Sequence, residues 1–436
     1  MTASDWSVPE TEVLAAARET IETGVPAVLA TIVDVRGSAY RRPGAKMVVP
    51  EDGNGVGSIT AGCLEDEVLA LAADVIEAGR PRVETFDLTG DEDVWGLGVG
   101  CNGVIDILLE PLDAGYRPAL DAVESGTNVA VCTVLGSDRS EIELGDRAHV
   151  APDAGDGGVS IRNGGDGTDD AFGSAVDAWP AWLADELAEP AARLAAAGRS
   201  RTLAIGGEAG SATVFVDGLA APPELVICGT GHDVGPVVEL AKQADFRVTV
   251  VGFRGASATA DRFPAADAVR STSPGDLREA HDFDADTYAV VMTHNFVDDR
   301  LAVDELLRTP VPYVGLMGPR ERFGEMREAF TEEGREFAGS ELDRLYTPAG
   351  LDLGGETPYA IAHSIVAELL AVHNDRTPRH LREREGRIHE RVAASAAGGE
   401  RVDGARASSV ERSESDGGAA TGGNDAGDAA APSHNG

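Results

Sequence analysis

The regular alternation of apolar runs, glycine-containing turns and helical patterns after Pro222-Pro223 most constrains the fold. Consecutive prolines stiffen a connection and end regular structure, so they mark a boundary. The apolar runs beyond them have the length of strands, and helical patterns lie between them. This spacing predicts a parallel α/β domain over residues 221–375. The runs are Leu225–Cys228, Val248–Val251, Ala289–Met292 and Pro312–Leu316.

Residues 1–220 combine helical and strand patterns and predict a separate, mixed α/β domain. An amphipathic helix over residues 10–23 precedes an apolar strand at Ala27–Val33. Further helices are predicted at Cys63–Ala78 and, in an alanine-rich stretch, at Ala175–Ala197. No internal repeat is visible in the sequence.

Two segments are too polar to form a core. The Gly/Asp-rich stretch 151–172 has little apolar surface to bury and is predicted to be a flexible insertion. Residues 376–436 begin with both charge signs and continue in Gly, Ala, Ser and Asp without periodicity. They predict a charged segment followed by a disordered acidic tail.

The charge balance restricts the partners and the setting. Lys and Arg total 36 against 75 Asp and Glu, a net charge of −39, and the lysines are Lys46 and Lys242. Acidic, lysine-poor surfaces stay hydrated in concentrated salt, so we expect a salt-adapted, halophilic cytoplasm. Such a negative field repels phosphate backbones, which argues against a nucleic-acid partner.

Cysteine usage and hydropathy point to a cytoplasmic protein that does not enter a membrane. The 4 cysteines and the lack of an export-type N-terminus suggest a reducing compartment. No apolar stretch reaches the roughly 18 residues that a membrane helix needs. The absence of CxxC, HExxH or a close Cys/His cluster gives little support to a dedicated zinc or iron–sulfur site.

Cys63 is the first candidate functional residue. It ends the glycine-punctuated stretch that includes Gly62, and the helical pattern begins directly after it. A helix N-terminus favours the thiolate, which is the reactive form of cysteine. Cys101 lies in a second glycine-rich turn, Gly96–Gly103. The competing interpretation for both is packing, since free cysteine is among the most buried residue types.

A basic loop precedes Cys63 in the sequence. Residues 35–50 contain no acid but carry Arg36, Arg41, Arg42 and Lys46. In so acidic a chain, this loop is best explained as an anion or phosphate pocket. The alternative is that its cations pair with surrounding carboxylates on the surface.

The run Leu225–Gly235 has the strand, glycine turn and helix start with which a Rossmann fold seats a pyrophosphate. Gly229 and Gly231 are present, but Val234 replaces the third glycine and Asp233 would repel a phosphate. NAD(P) binding is therefore only weakly indicated, although Arg254 could meet an NADP phosphate.

Other polar side chains follow the later strands. His294 and Gly318 come directly after apolar runs, and ligands collect at the carboxyl ends of parallel strands. His232 and His294 are expected to face each other in one crevice, unless each is a structural hydrogen-bonding residue. Asp352 lies in a further dense turn before the last helix.

Together these motifs resemble those of the XdhC/CoxI family, accessory proteins that mature xanthine dehydrogenase and related molybdenum hydroxylases. The resemblance spans roughly residues 10–373 and includes the Rossmann-like half. The motifs that carry it are Arg36-Gly37-Ser38, Pro43–Met47, Gly57-Ser58, Gly62–Glu65, Gly100–Gly103, Gly229-x-Gly231-His232, Thr293-His294, Gly315-Leu316-x-Gly318 and Gly350-Leu351-Asp352-x-Gly354.

The resemblance implies binding of the molybdenum cofactor (molybdopterin), its protection during sulfuration, and delivery to an apo molybdenum hydroxylase of the xanthine dehydrogenase or CO dehydrogenase type. Cys63 and Cys101 would contact the molybdenum or the transferred sulfur, and Glu65 would orient the first cysteine's turn. Arg41, Arg42 and Lys46 would hold the pterin phosphate. A cysteine desulfurase would donate sulfur, and a homodimer is expected from the frequency of twofold assemblies.

Two other classes of function stay open. One is an NAD(P)-dependent oxidoreductase that uses the Gly229–Gly235 turn. The other is a thiol redox switch in which Cys63 and Cys101 form a reversible disulfide. The resemblance favours a non-catalytic maturation factor, and Asp233, Gly252 and the absence of an evident proton donor count against the oxidoreductase.

Overall fold

The computed structural model describes residues 6–53, 55–88, 103–152, 159–163 and 179–383. Within these ranges the chain forms two five-stranded antiparallel sheets and one six-stranded parallel sheet. The expected fold class, a mixed α/β part followed by a Rossmann-like parallel sheet, is confirmed. Most of the segment predicted to be a charged stretch and disordered tail, from residue 384 onward, lies outside the described residues.

The first sheet has the strand order β3-β2-β1-β5-β4. The predicted strand at Ala27–Val33 continues as far as Gly37, and the helix predicted from Cys63 begins two residues later, so Cys63 stands just before its first turn. The elements are α1 (Glu10–Thr23), β1 (Ala27–Gly37), β2 (Lys46–Pro50), β3 (Val56–Gly57), α2 (Glu65–Ala78), β4 (Arg82–Asp87) and β5 (Gly103–Pro111).

The second sheet has the order β8-β7-β6-β10-β9. Its edge strand β8 lies inside the stretch predicted to be a flexible insertion, most of which lies outside the described residues. Pairing with β7 supplies the backbone hydrogen bonds of β8, which composition does not reveal. The elements are α3 (Arg117–Glu124), β6 (Val129–Ser137), β7 (Arg147–Pro152), β8 (Val159–Asn163), α4 (Ala181–Ala196), β9 (Ser200–Gly207) and β10 (Gly210–Leu219).

The two antiparallel sheets are copies of one unit, a helix followed by three strands, a helix and two strands. The same bulge recurs in both, where Val33 in β1 and Leu135 in β6 are skipped by the ladders to β5 and β10. Gly44 and Gly145 have φ values of 100° and 93°. Their backbone N–H groups donate to the carbonyl oxygens of Ile32 and Val134, each at 2.9 Å. The sequence interpretation that saw no internal repeat was therefore wrong.

A short motif could have revealed the duplication. Ala-Gly-Arg-x-Arg occurs at Ala78–Arg82 and again at Ala197–Arg201, each time between the second helix and fourth strand of a repeat. Five residues are too few to stand out in an alanine-rich chain. The equivalence emerges from strand order and register, because these are maintained by backbone pairing and tolerate almost any side chain.

Two buried ion pairs join the repeats, and in each pair one repeat supplies the cation and the other the carboxylate. Lys46 of the first repeat lies 2.9 Å from Asp217 of the second, and both side chains are at most 5% exposed. Arg147 of the second repeat lies 2.5 Å from Glu110 of the first. The residues correspond by register, since Lys46 and Arg147 face Thr31 and Thr133 in their own repeats. Such an exchange is what an approximate twofold axis between the repeats produces.

The third sheet has the order β13-β12-β11-β14-β15-β16 and is parallel throughout. All strands predicted for this half are present, and the two missed ones, β13 and β16, are short edge strands. The elements are β11 (Glu224–Cys228), α5 (Val234–Gln243), β12 (Arg247–Gly252), β13 (Ala268–Ser271), α6 (Leu277–Ala280), β14 (Thr287–Val291), α7 (Phe296–Leu307), β15 (Tyr313–Leu316), α8 (Arg320–Glu332), α9 (Gly339–Leu342), β16 (Leu345–Tyr346) and α10 (Pro358–His373).

Helices cover both faces of this sheet. One core cluster contains α5 and α10 residues, and a second, on the opposite face, contains α7 and α8 residues. The strand order reverses direction between β11 and β14, so their carboxyl ends form the crevice where ligands of such sheets bind. None of the helices in the described ranges has the length and apolar character needed to cross a bilayer.

The substitution Lys46→Met should lower the free energy of unfolding by about 3–5 kcal/mol, because it leaves the buried carboxylate of Asp217 without its partner. The double variant Lys46→Met/Asp217→Leu should recover part of that loss. Chemical denaturation of both variants measures these changes. Arg193→Ala, which removes an exposed ion pair with Glu189, is the control and should shift stability by less than about 0.5 kcal/mol. A loss for Lys46→Met no larger than the control's would contradict the structural role.

Candidate functional site

Cys63 lies in the loop between β3 and α2, directly before Leu64, the N-cap residue of the helix. Its side chain is half-buried against the core of the first repeat, and the thiol is free. The backbone N–H groups of Cys63 and Leu64 donate to Thr60 Oγ1 at 3.1 and 3.2 Å. The hydroxyl of Thr60 therefore fixes the backbone that carries the thiol.

The buried side chain of Glu65 holds this loop in place through hydrogen bonds. Its carboxylate is fully buried and accepts hydrogen bonds from Thr60 N at 2.8 Å, from the Thr60 hydroxyl, and from Leu64 N at 3.1 Å. A carboxylate can accept several bonds at once, so one side chain ties both ends of the turn together. This is the geometry that the predicted orienting role of Glu65 requires.

Gly62 leaves the loop open on one side. It has φ = 104°, a left-handed conformation that favours glycine, and a Cβ there would meet no atom within 4 Å. The glycine thus serves the backbone conformation rather than a close contact inside the protein. A ligand can approach the backbone next to Cys63 from this side.

Arg41 and Arg42 are neighbours in the basic loop and differ in their partners. Arg41 donates to Ser58 Oγ at 3.4 Å and pairs with Glu10 at 3.1 Å. Arg42 is half-buried, its Nε has no hydrogen-bond partner among the described residues, and it makes no ion pair within them. Buried donors are almost always satisfied in native proteins, so Arg42 Nε calls for a partner beyond the described residues.

Lys46 does not belong to this anion pocket, and the prediction that it holds a phosphate is corrected here. Its side chain is 2% exposed, with Nζ 2.9 Å from Asp217 and 2.6 Å from the carbonyl of Gly44. Glu10 lies 3.7 Å from the same nitrogen. The lysine falls at the first position of β2, where it points into the interface between the repeats. Sequence could not reveal this because Asp217 lies in the other repeat.

The duplication provides an internal comparison for the basic loop. The loop 38–44 of the first repeat corresponds to 138–145 of the second, since Arg42 O accepts from Ala45 N at 3.1 Å and Glu143 O from Asp146 N at 3.2 Å. An acid thus occupies the position of Arg42, and Glu141 lies in the same loop. The second loop keeps one basic residue, Arg139, against the acids Asp138, Glu141 and Glu143.

Cys101 lies outside the described residues, as do 89–102 around it. The flanks of this segment are described. Leu88 N donates to Gly103 O at 3.0 Å, and a Cβ on Gly103 would lie 2.5 Å from the carbonyl oxygen of Ser38. Both flanks therefore meet the start of the basic loop at the carboxyl end of β1.

The remaining cysteines are core residues, as predicted. Cys132 and Cys228 are fully buried in β6 and β11. Burial raises the pKa of the Cys228 thiol to about 12, with a smaller contribution from the charge of Asp299, and burial likewise raises the pKa of Cys132. Neither thiol has the exposure or the surroundings of a reactive cysteine.

The glycine turn after β11 and the turn after β14 border one crevice, as expected. A Cβ on Gly231 would lie 3.6 Å from His294 Cδ2, and one on Gly229 would lie 2.5 Å from the carbonyl oxygen of Met292. His232 and His294 both adjoin Gly231, and their facing each other stays a prediction. His294 Nε2 lies 2.7 Å from Asp233 Oδ2, and His294 has φ = 59°, which is rare outside glycine.

His232 is exposed and lines a cavity of about 270 Å³ at the start of α5, together with Gly231, Gly235 and Arg262. Arg262 was missed by the sequence interpretation. Its guanidinium donates to the carbonyl oxygens of Thr230 at 2.8 Å and Ser257 at 2.9 Å. It lies about thirty positions after the glycine turn, so spacing gives no signal for it.

The other predicted crevice residues differ in accessibility. Gly318 has φ = 130°, and a Cβ there would press on Arg322. Asp352 is exposed in the loop before α10. Arg254 is exposed and pairs with Asp298 at 3.0 Å. Within the described residues there is no group of three or more His, Cys, Asp or Glu side chains placed to hold a metal ion.

Comparison with known proteins identifies the class. Residues 20–87 match the model of the XdhC and CoxI family, and residues 225–369 match that of the XdhC Rossmann domain. These regions include the Cys63 loop and the glycine-turn crevice. The chain belongs to the XdhC/CoxI family.

Individual relatives agree with this assignment. The chain is 28% identical to a probable xanthine dehydrogenase subunit of Bacillus subtilis, over 80% of this chain and 94% of the relative. It is 36% identical to the molybdenum cofactor insertion chaperone PaoD of Escherichia coli, over 23% of this chain and 31% of the relative. A crystal structure from Bacillus halodurans described as a xanthine dehydrogenase matches with a TM-score of 0.63 and 28% identity, covering 84% of this chain and 96% of that one.

In the folded protein, iodoacetamide should alkylate Cys63 well before Cys132 and Cys228. Cys63 is half-buried in an open loop, whereas burial removes the other two from the reagent and raises their pKa values. Peptide mass spectrometry over a time course measures the three rates. Equal labelling of Cys63 and either core cysteine in the folded state would refute the assignment.

Glu65→Gln should both destabilise the protein and speed the alkylation of Cys63. The amide keeps one acceptor oxygen for three donors, which costs about 1–3 kcal/mol and loosens the loop. Asp66→Asn is the matched control, because Asp66 is exposed in the same helical turn and loses the same charge. If both variants change the labelling rate equally, helix charge rather than loop geometry controls the thiol.

Proposed function

We propose that this protein binds the molybdenum cofactor and supports its sulfuration and its insertion into a molybdenum hydroxylase of the xanthine dehydrogenase or CO dehydrogenase type. Family membership and the names of the relatives support a role in maturation of this cofactor. The cofactor is the cargo of such a protein, so the protein acts as a maturation factor rather than as a catalyst.

The observation that carries the proposal is the buried Nε of Arg42, which has no partner among the described residues. It lies in the basic loop whose Arg41 donates to Ser58, ahead of the Cys63 loop. A phosphate supplies the acceptor oxygens that a guanidinium lacks here, and arginine is well suited to bind it in a forked geometry. The acidic loop at the same place in the second repeat supports the interpretation that the basic residues serve a ligand. Arg41 and Arg42 would thus hold the pterin phosphate, without Lys46.

Cys63 supplies the soft ligand. A thiolate is suited to molybdenum or to a transferred sulfur atom, and the open side at Gly62 leaves room for a bulky pterin. Glu65 and Thr60 would keep the thiol in place while the cargo is exchanged. Cys101 is proposed as a second contact, because the flanks of its segment adjoin the basic loop.

The crevice of the parallel sheet is proposed to bind a nucleotide part of the cofactor or to regulate its exchange. Gly229, Gly231, His232, His294, Gly318 and Asp352 are the residues proposed to border it. The ion pair of Asp233 with His294 supports this, because the imidazole offsets a carboxylate that would repel a phosphate at the start of α5. The proposed partners are an apo-hydroxylase and a cysteine desulfurase, and we propose a homodimer in a salt-adapted cytoplasm.

Loading of the protein with its cargo tests the proposal. Wild type, Cys63→Ser and Arg42→Gln are purified from cells that make molybdenum cofactor, and bound pterin and molybdenum are measured. Arg42→Gln should reduce bound pterin about tenfold, the worth of one charge-assisted hydrogen bond. Cys63→Ser should reduce bound molybdenum or its sulfurated form more than bound pterin.

Two variants serve as controls. Arg193→Gln removes the same charge from an exposed helix position, and Cys228→Ala removes a core thiol; both should load as wild type does. Equal loading of Arg42→Gln, Cys63→Ser and the controls would rule out the Cys63 loop as the binding site. Absence of pterin from the wild-type protein would rule out the proposed function itself.

A further inference from the structure

A second cavity lies on the other face of the parallel sheet, away from the glycine-turn crevice. It has a volume of about 340 Å³ and lies between the edge strand β13, its neighbour β12 and the short helix α6. It shares no lining residue with the crevice cavity. The lining residues are Val251, Arg270, Ser271, Thr272, Leu277, Ala280 and His281.

The most informative group in this wall is His281. Its side chain is 6% exposed, and neither ring nitrogen has a hydrogen-bond partner among the described residues. Nε2 lies 3.3 Å from Glu224 Oε2, which is close enough for an ion pair, although the hydrogen bond is not well directed. The imidazole is thus buried with Nε2 beside a carboxylate, and Nδ1 has no partner among the described residues.

The carboxylate of Glu224 already has its own hydrogen-bond and ion-pair partners. Its Oε1 accepts from Thr249 Oγ1 at 2.7 Å, and Arg247 lies 3.3 Å from Oε2. Burial raises the pKa of this carboxyl, but the interactions with His281, Thr249 and Arg247 outweigh burial and lower the pKa to about 2. Glu224 is therefore a fixed negative charge behind the imidazole.

Arg270 provides a cation without a counter-charge. In a chain of net charge −39, it has no carboxylate within ion-pair distance among the described residues. Its one hydrogen bond is a long one, 3.5 Å from Nη1 to the carbonyl oxygen of Ala280, which places the guanidinium beside the end of α6. Ser271 and Thr272 follow Arg270 in the cavity wall at the carboxyl end of β13.

The rest of the wall is aliphatic. Val251 and Leu277 are buried members of the core cluster on this face of the sheet. The cavity therefore combines one charged end with an apolar floor. Its volume falls at the lower end of the roughly 300–1,000 Å³ range of small-molecule sites, which are built in the same way.

From these observations we infer that this cavity is a binding site for a small organic carboxylate with an apolar body. The carboxylate is held by the guanidinium of Arg270, with Thr272 and His281 in the same wall. The apolar body rests on Leu277 and Val251. The site is independent of the Cys63 loop and of the cargo proposed to bind there.

Isothermal titration calorimetry of the full chain with benzoate, at one fixed salt concentration, tests this inference. Wild type should bind benzoate, and benzyl alcohol, which has the same ring without the charge, should bind at least about tenfold more weakly. Arg270→Gln should weaken benzoate binding about tenfold, and Arg270→Lys, which keeps the charge but not the fork, should fall between.

The matched control is Arg193→Gln, an exposed arginine outside the cavity, which should bind benzoate as wild type does. Arg270 is exposed, so its variants should fold, and thermal unfolding verifies this. The inference is overturned if wild type binds no benzoate, if benzyl alcohol binds equally well, or if Arg270→Gln binds as tightly as the control. None of these outcomes bears on loading with molybdenum cofactor, which is measured separately.

Discussion

The reciprocal ion pairs between Lys46 and Asp217 and between Arg147 and Glu110 are the constraint on which the N-terminal half depends. Each cation is buried and has its main counter-charge in the other repeat. A single repeat would therefore hold a buried charge without its partner. Buried pairs of this kind add little net stability compared with apolar residues, but breaking one leaves a buried charge unpaired. They therefore act mainly to fix how the two sheets meet.

With the frame fixed, the loops of the two repeats are free to diverge. The first repeat carries the basic loop and Cys63, and the corresponding loop of the second carries acids. Divergence on a common scaffold is how binding residues usually arise, since loops tolerate change that strands do not. The comparison of the two loops inside one chain shows that this strand order is compatible with either charge sign in the loop.

In the parallel sheet, the strand order rather than a pair of charged side chains creates the candidate site. Its strand order creates a crevice between β11 and β14 whatever side chains are present. What distinguishes this crevice is the contact of His294 Nε2 with Asp233 at 2.7 Å and the left-handed backbone of His294. Both lie where a Rossmann fold seats a pyrophosphate on the start of its first helix.

The sequence by itself determined the parallel sheet, the position of Cys63 before a helix and the family, because these follow from local periodicity, turn chemistry and short motifs. Tertiary structure alone decided the duplication, the burial of Lys46, the pairing of His294 with Asp233 and the place of Arg262 and His281. Each of these depends on residues far apart in the chain, such as Lys46 and Asp217, and a side chain's partner across such a distance leaves no trace in local sequence. A lysine in a basic loop and a lysine in a buried ion pair look the same until the chain has folded.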